Sequence, residues 1–213
     1  MPLQNRVTPF GEIVATPERG TLFGIRGGRI HDPVTRTLLK RRFTSRRWIC
    51  CELQFKGRKH EVFGHGYTAL FFLDEATAFA AGHRPCFECR RADALRFREA
   101  FARGNGLTSL PLADEMDLRL HAERLAPSVR EADRSRLPDG AMVAREGKPC
   151  LVLGGELLVW THSGYLPLTD KRKPPLLLLT PPSTVAALGA GFRARLHPTA
   201  VGLTEPRAGP RGR

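Results

Sequence analysis

Two cysteines stand two residues apart, Cys86 and Cys89, directly after the run Ala80-Ala81-Gly82-His83-Arg84-Pro85. No other feature of the chain limits its fold so strongly. Thiols at this spacing on a tight turn can grip one metal ion from the same side, and a structural Zn²⁺ site is usually completed by ligands from elsewhere in the chain. Gly82 reads as a helix stop, and Pro85, with its fixed φ, aims the backbone into the turn. A fold for this chain therefore has to bring a second ligand-bearing element to residues 86–89.

The other cysteines narrow the choice. Cys50 and Cys51 are neighbours, and Cys150 stands alone in the apolar run 149–153. An odd, unevenly spread set is no disulfide framework. Residues 1–11 lack the apolar core of a signal peptide, and the apolar run 176–179 is far too short to span a membrane. The expectation is a cytoplasmic protein with no membrane partner, in which thiols meet metal rather than each other. Cys150 is expected in the core.

Lys and Arg number 34 against 21 Asp and Glu, a formal net charge of +13 over 213 residues. That exceeds the solubility needs of a small domain and predicts a polyanionic partner, nucleic acid and DNA above all. Lys40, Arg41, Arg42, Arg46 and Arg47 form the densest basic cluster. Arg84, Arg90 and Arg91 flank the thiols at a helix N-terminus, where guanidinium and helix-end amides both suit phosphate. All eight are candidate nucleic-acid contacts.

The pattern along the chain predicts an α+β fold. Residues 1–47 read as an irregular, basic N-terminal segment with at most short strands, punctuated by glycine and proline. In 48–55, Ile49, Cys51, Leu53 and Phe55 alternate with Cys50, Glu52 and Gln54, a half-buried strand. A second strand covers 67–73. Asp74 caps a short helix over 75–81. Further helices cover 90–103 and Ala113–Leu125. A polar linker spans 127–140, and short strands at 141–145, 149–153, 156–160 and 176–180 predict a small β-rich domain over 141–200. Ser183 caps a last helix, and 201–213 reads as a flexible tail.

The segment from Phe71-Phe72-Leu73-Asp74 through Ala80-Ala81-Gly82-His83-Arg84-Pro85-Cys86-Phe87-Glu88-Cys89 resembles the zinc-binding domain of the Ada DNA-repair protein. That family carries a strand ending in aromatic residues, a short Ala-rich helix, and then A-A-G-F-R-P-C-x-x-C. The resemblance spans about residues 67–91 and makes 48–126 an Ada-like metal-binding domain with its following helices. It implies one Zn²⁺ held by four cysteines, one of whose thiolates accepts a methyl group from a methylated DNA phosphate. Zinc keeps such a sulfur ionised and nucleophilic. By position, Cys86 and Cys89 match the family's second ligand pair. Its first pair, C-x-x-x-C, has only Cys50 and Cys51 as counterparts here, and either becomes the methyl acceptor if that chemistry is retained. Adjacent strand residues point to opposite faces. Cys51, on the face of Ile49, Leu53 and Phe55, is the favoured ligand, and Cys50 is the alternative. His83, which stands where the family has an aromatic residue, is the favoured fourth ligand. His60, His65 or a water are the alternatives.

The expected function is that of a zinc-containing DNA-binding protein linked to DNA repair or the alkylation response, with zinc in a structural role. Two alternatives stand beside it. One is an enzyme on nucleic acid, either a phosphotriester methyl acceptor or a metal-dependent nuclease. The other is a zinc module for protein or RNA interaction. Asp117, His121 and Glu123 on the third helix are a lesser acid/base or metal candidate, as is the His162/Ser163 neighbour pair. Trp160 and Tyr165 are candidates for base stacking, with core packing the simpler reading.

Overall fold

The computed structural model of the chain describes residues 1–58, 61–126 and 130–204. Among them are two sheets and five helices, an α+β arrangement. The first sheet contains β1 (Gln4–Val7), β2 (Ile13–Ala15), β3 (Leu22–Arg26), β4 (Trp48–Cys51), β5 (Leu70–Phe72) and the two-residue β6 (Arg84–Pro85), in the order β2-β1-β5-β3-β4-β6. It is mixed: β3 runs antiparallel to β4, pairing Phe23 with Cys51, and β6 runs parallel to β4, pairing Cys50 with Pro85. The N-terminal segment is therefore not a separate irregular arm. Its apolar residues Val7, Ile13, Leu22 and Phe23 are buried, so three of the sheet's strands come from it. The segment is short-stranded, as expected, and Gly24 lies within β3.

The second sheet is an antiparallel array of β7 (Met142–Arg145), β8 (Lys148–Leu153), β9 (Glu156–Thr161), β10 (Gly164–Pro167) and β11 (Leu176–Leu178), in the order β10-β9-β8-β7-β11. Two of its hairpins turn on Glu146-Gly147 and Gly154-Gly155, all four residues at positive φ. Positive φ at both central residues is the type I′ geometry that matches strand twist.

The helix α1 (Glu75–Ala80) joins the two sheets. Asp74 caps it, accepting from the Thr77 amide at 2.9 Å. Its end is a Schellman motif: Gly82 lies at φ 80°, its amide reaches the Phe79 carbonyl at 2.8 Å, and the His83 amide reaches Ala78 at 2.9 Å. Glycine takes this left-handed position without a Cβ penalty. All six residues of α1 are buried. Ala76 and Ala80 pack with Met142, Leu151 and Trp160 of the second sheet, while Ala78 packs with Ile30, Leu70 and Phe72 of the first. The helix α2 (Arg91–Gly104) and α3 (Ala113–Leu125) contribute Phe97, Phe101, Met116 and Leu120 to a cluster with Phe79, Val143 and Val152. Burying each such side chain is worth about 1.5–3 kcal/mol. The region expected to bind metal and the β-rich region thus pack against each other through α1, α2 and α3.

Two further helices, α4 (Pro182–Gly189) and α5 (Pro198–Thr204), complete the described chain. Gly104 meets α4 at close range, where a Cβ would stand 2.1 Å from the Ala186 carbonyl oxygen. The described part of the expected linker, 130–140, is hydrogen-bonded to the second sheet: the Ala132 amide donates to Leu176 and the Gly140 amide to Val152, each at 2.9 Å. Of the expected tail, 201–204 belong to α5, and 205–213 lie outside the described residues.

Candidate metal centre

Strand β4 decides which of the adjacent thiols faces which side. Side chains alternate across a strand, so Ile49 and Cys51 share one face and Trp48 and Cys50 the other. Cys51 sits in a small apolar cluster with Phe23, Ala69 and Cys86. Cys50 points into the opposite core among Val7, Ile30, Leu70 and Phe72. Parallel pairing of β6 with β4 then delivers the second cysteine, the Cys86 amide donating to the Cys50 carbonyl at 3.0 Å. A turn closed by the Arg90 amide on the Cys86 carbonyl, at 3.1 Å, folds Cys89 back. The Sγ atoms of Cys51, Cys86 and Cys89 all lie within 4.8 Å of one another.

That spacing fits a metal. Sulfurs bound tetrahedrally at about 2.3 Å from one Zn²⁺ stand roughly 3.8 Å apart, so a small adjustment of side chains seats an ion. The buried thiol group can hold a metal ion. Without one, the contacts of Cys51 and Cys89 with Cys86 hold the Cys86 thiol far below its usual range. The Cys51 thiol is pushed up in turn, by its contacts with Cys86 and Cys89 and by burial. One sulfur is therefore ready to ionise, and a bound cation would deprotonate the others. A cavity of about 130 Å³ opens on the group, lined by Phe23, Ile49, Phe55 and Tyr67 beside the three thiols.

Histidine does not join them among the described residues. His83 lies on the other side of β4. It is fully buried, its ring centroid 4.6 Å from that of Phe72 and 5.1 Å from that of Trp48. It packs among these rings and takes no part in the thiol group. His65 is exposed and His60 lies outside the described residues. Cys50 is wholly buried, takes a hydrogen bond from Arg90 Nη1 at 3.2 Å, and is pushed up by burial. Cys50 does not line the cavity that Cys51, Cys86 and Cys89 border.

His83 has a consequence for stability. Burial first, and then the Arg26 and Arg124 charges, lower its pKa well below the ordinary value of 6.5. The unfolded chain therefore binds that proton first. The resulting stability is present above pH 6.5 and falls as pH drops below it, by about 1.4 kcal/mol per pH unit. Asp74 and Glu75, raised by burial, act in the opposite sense in the acid range. The comparison of urea midpoints between wild type and His83→Phe isolates the histidine: the variant should lose this slope between pH 6.5 and pH 5. Equal slopes would contradict it.

The expected phosphate contacts divide into two groups. Lys40, Arg41, Arg42, Arg46, Arg47 and Arg91 are exposed, with Arg47 3.5 Å from Asp114 in a solvent-facing pair. Arg84 and Arg90 are not available. Arg84 is buried in a bidentate pair with Asp117, Nε to Oδ1 at 2.9 Å and Nη2 to Oδ2 at 2.7 Å. Arg90 is buried against Glu75 at 2.6 Å and Asp93 at 2.7 Å. Arg84 and Arg90 are internal struts, because acidic partners on α1, α2 and α3 fold onto them.

The lesser candidates separate as well. Asp117 serves Arg84, Glu123 accepts from the Ser183 amide at 3.1 Å, and His121 packs edge-on to Phe43. His162 lies against Trp160, 4.7 Å between ring centroids, and the Ser163 amide donates to Thr161. Trp160 and Tyr165 are core residues, donating to Thr77 Oγ1 at 3.0 Å and Asp74 Oδ2 at 2.9 Å. Cys150 is core, as expected. No described helix is long and apolar enough to cross a membrane. No protein-family model, curated protein or solved structure matches the chain.

Proposed function

We propose that this is a zinc-containing nucleic-acid-binding protein, with Zn²⁺ held by Cys51, Cys86 and Cys89. The reading is carried by one observation: three thiols from two separate elements, β4 and the turn after β6, converge within 4.8 Å. The ion would tie the strand to the turn and hold the first sheet's edge in shape. The exposed cluster of Lys40, Arg41, Arg42, Arg46 and Arg47 leads directly into β4, and so is the surface assigned to phosphate contact. Such contacts are sequence-neutral and salt-sensitive. DNA, and a link to the alkylation response, are favoured by the likeness to the Ada pattern.

The test is fluorescence anisotropy with duplex DNA over a range of salt. Replacing Arg41, Arg42 and Arg46 together by Gln should flatten the plot of log K against log salt by about 3 units, at roughly 0.9 per lost phosphate contact. No binding at low salt, or an unchanged slope, would sink the assignment.

The cavity over the thiols supports a second reading. Three protein ligands leave one position of a tetrahedral ion to something else, and a group of about 130 Å³ fits beside the sulfurs. In a methyl-acceptor reaction a thiolate attacks the methyl carbon of a DNA phosphotriester. The S–C bond forms, the C–O bond breaks, and the phosphodiester leaves as an anion. Incubation with methylated DNA would then add the mass of one methyl to a peptide bearing Cys51, Cys86 or Cys89, and none to Cys50. An unchanged protein mass leaves zinc with the structural role.

A further inference from the structure

On the face of β4 turned away from the thiols, two arginines lie over one indole. Arg26 Cζ is 4.1 Å and Arg124 Cζ 4.2 Å from a ring centroid of Trp48. Arg26 is only 3% exposed. Its Nη2 donates to the Gly11 carbonyl at 2.9 Å, but its Nε is buried with no partner among the described residues. Arg124 Nε donates to Leu120 at 3.0 Å, while both Nη atoms are buried and equally unpartnered. Neither arginine forms an ion pair among the described residues. Of the carboxylates whose charge acts on Arg124, Asp117 is paired with Arg84 and Glu123 accepts from Ser183.

Two guanidiniums side by side, neither in an ion pair among the described residues, are an expensive arrangement, although the Asp117 and Glu123 charges favour the charged form of Arg124. The π-face of Trp48 offsets part of the cost and leaves the N–H groups unmatched. Burial and neighbouring charges act on both: Arg26 is lowered to about 9, first by burial and then by the Arg124 and Arg42 charges, and Arg124 to about 10, first by burial, with Arg84 adding to it and the Asp117 and Glu123 carboxylates opposing it. A bound anion would offset that cost.

The space for one is present. Both arginines line a cavity of about 400 Å³ between the β1–β2 turn, the end of α3 and the chain entering α4. Arg42 and Arg130 also line it, against the carboxylates of Glu12 and Glu123. Phe10 and Phe43 supply an apolar wall. The volume falls in the small-molecule range. Four cations against two carboxylates, one of them already engaged, call for a dianion rather than a carboxylate. A phosphomonoester carries close to two negative charges and three acceptor oxygens, and guanidinium forks match those oxygens geometrically.

We propose that this cavity is a phosphomonoester-binding site, in which Arg26, Arg42 and Arg130 hold the phosphoryl oxygens, the Arg124 charge behind them favours a dianion, and Phe10 and Phe43 contact the attached organic group. The site is separate from the thiol centre and does not depend on the metal. The phosphomonoester could come from a free small molecule of nucleotide size or from the 5′ end of a nucleic-acid strand, which the experiment distinguishes.

The full-length protein is titrated at low ionic strength with phenyl phosphate, inorganic phosphate, benzoate, and a short oligonucleotide with and without a 5′-phosphate. Thermal melting and calorimetry are the readouts. Phenyl phosphate should raise the melting temperature and bind at least about tenfold more tightly than benzoate. Arg124→Met should weaken phenyl phosphate by about tenfold or more, yet melt no lower than wild type without ligand, because it removes an unpaired buried charge. Should Arg26→Met fail to fold, Arg124→Met carries the test alone. A response only to the phosphorylated oligonucleotide, lost in Arg124→Met, supports the site and assigns its source to strand ends. Benzoate binding as well as phenyl phosphate, an undiminished response in Arg124→Met, or no response to any phosphomonoester overturns it.

Discussion

Cys86→Ser is expected to bring bound zinc from about one ion per chain to almost none, and to lower the melting temperature sharply. The reason is geometric. Cys51 rides on β4 and Cys86 on the turn after β6, and the two thiols approach each other with no sulfur–sulfur bond between them. An ion shared by three sulfurs is then the strongest tie between strand and turn. At free zinc about a thousandfold above Kd, such an ion stabilises the fold by roughly 4 kcal/mol. In a chain of this size that is on the order of 8–16 °C in melting temperature. A chelator applied to wild type should reproduce the loss. Cys50→Ser is the control, since that thiol belongs to the opposite core and its replacement should leave zinc content unchanged. Metal analysis of the native protein by mass spectrometry, paired with melting curves, decides the matter. Wild type without metal, or Cys86→Ser with a full complement, would remove the proposed clamp.

The second large effect lies at Arg84, two residues before Cys86. Asp117→Ala leaves the Arg84 guanidinium buried and unpaired, both partners being 3% exposed in the native pair. Breaking such a pair from one side costs about 3–5 kcal/mol. Because Arg84 is half of β6 and precedes Pro85 and Cys86, the damage should extend to the metal turn, and zinc affinity should fall with stability. Replacing the pair together, Arg84→Met with Asp117→Leu, should recover most of the loss, since two apolar side chains carry no desolvation penalty. A urea-unfolding double-mutant cycle measures this. If Asp117→Ala lost less than about 1 kcal/mol, the pair would be behaving as a solvent-exposed one does.

These struts explain why basic residues near the thiols looked like phosphate contacts. Local sequence shows that Arg84 and Arg90 are cations beside a helix start. It contains no sign that Asp117, 33 positions later, and Glu75, on the helix before, come to rest against them. Among the described residues, the exposed cluster 40–47 forms one ion pair, the surface contact of Arg47 with Asp114. The bounds of the N-terminal strands were hidden for a similar reason. Residues 13–15 and 22–26 are brief and rich in flanking glycine, and such strands become legible only when partners pair with them. The meander over 142–161 is legible because alternation and paired positive-φ turn residues repeat locally. The Arg26–Trp48–Arg124 group had no signal at all in one dimension, its members being spread over nearly a hundred residues.

By itself the sequence determined what depends on near neighbours. The Asp74 cap, the Gly82 stop, the Pro85-led turn, the pairing of Cys86 with Cys89 and the facing of Cys51 away from Cys50 all follow from helix and strand periodicity within a few residues. Only the tertiary structure decided which distant groups meet: that Cys51 reaches the turn while His83 does not, that α1 serves two sheets, and that two arginines converge on Trp48. Backbone stereochemistry acts over a handful of bonds, whereas burial and charge pairing act through space. The second kind of contact exists only once the chain has closed.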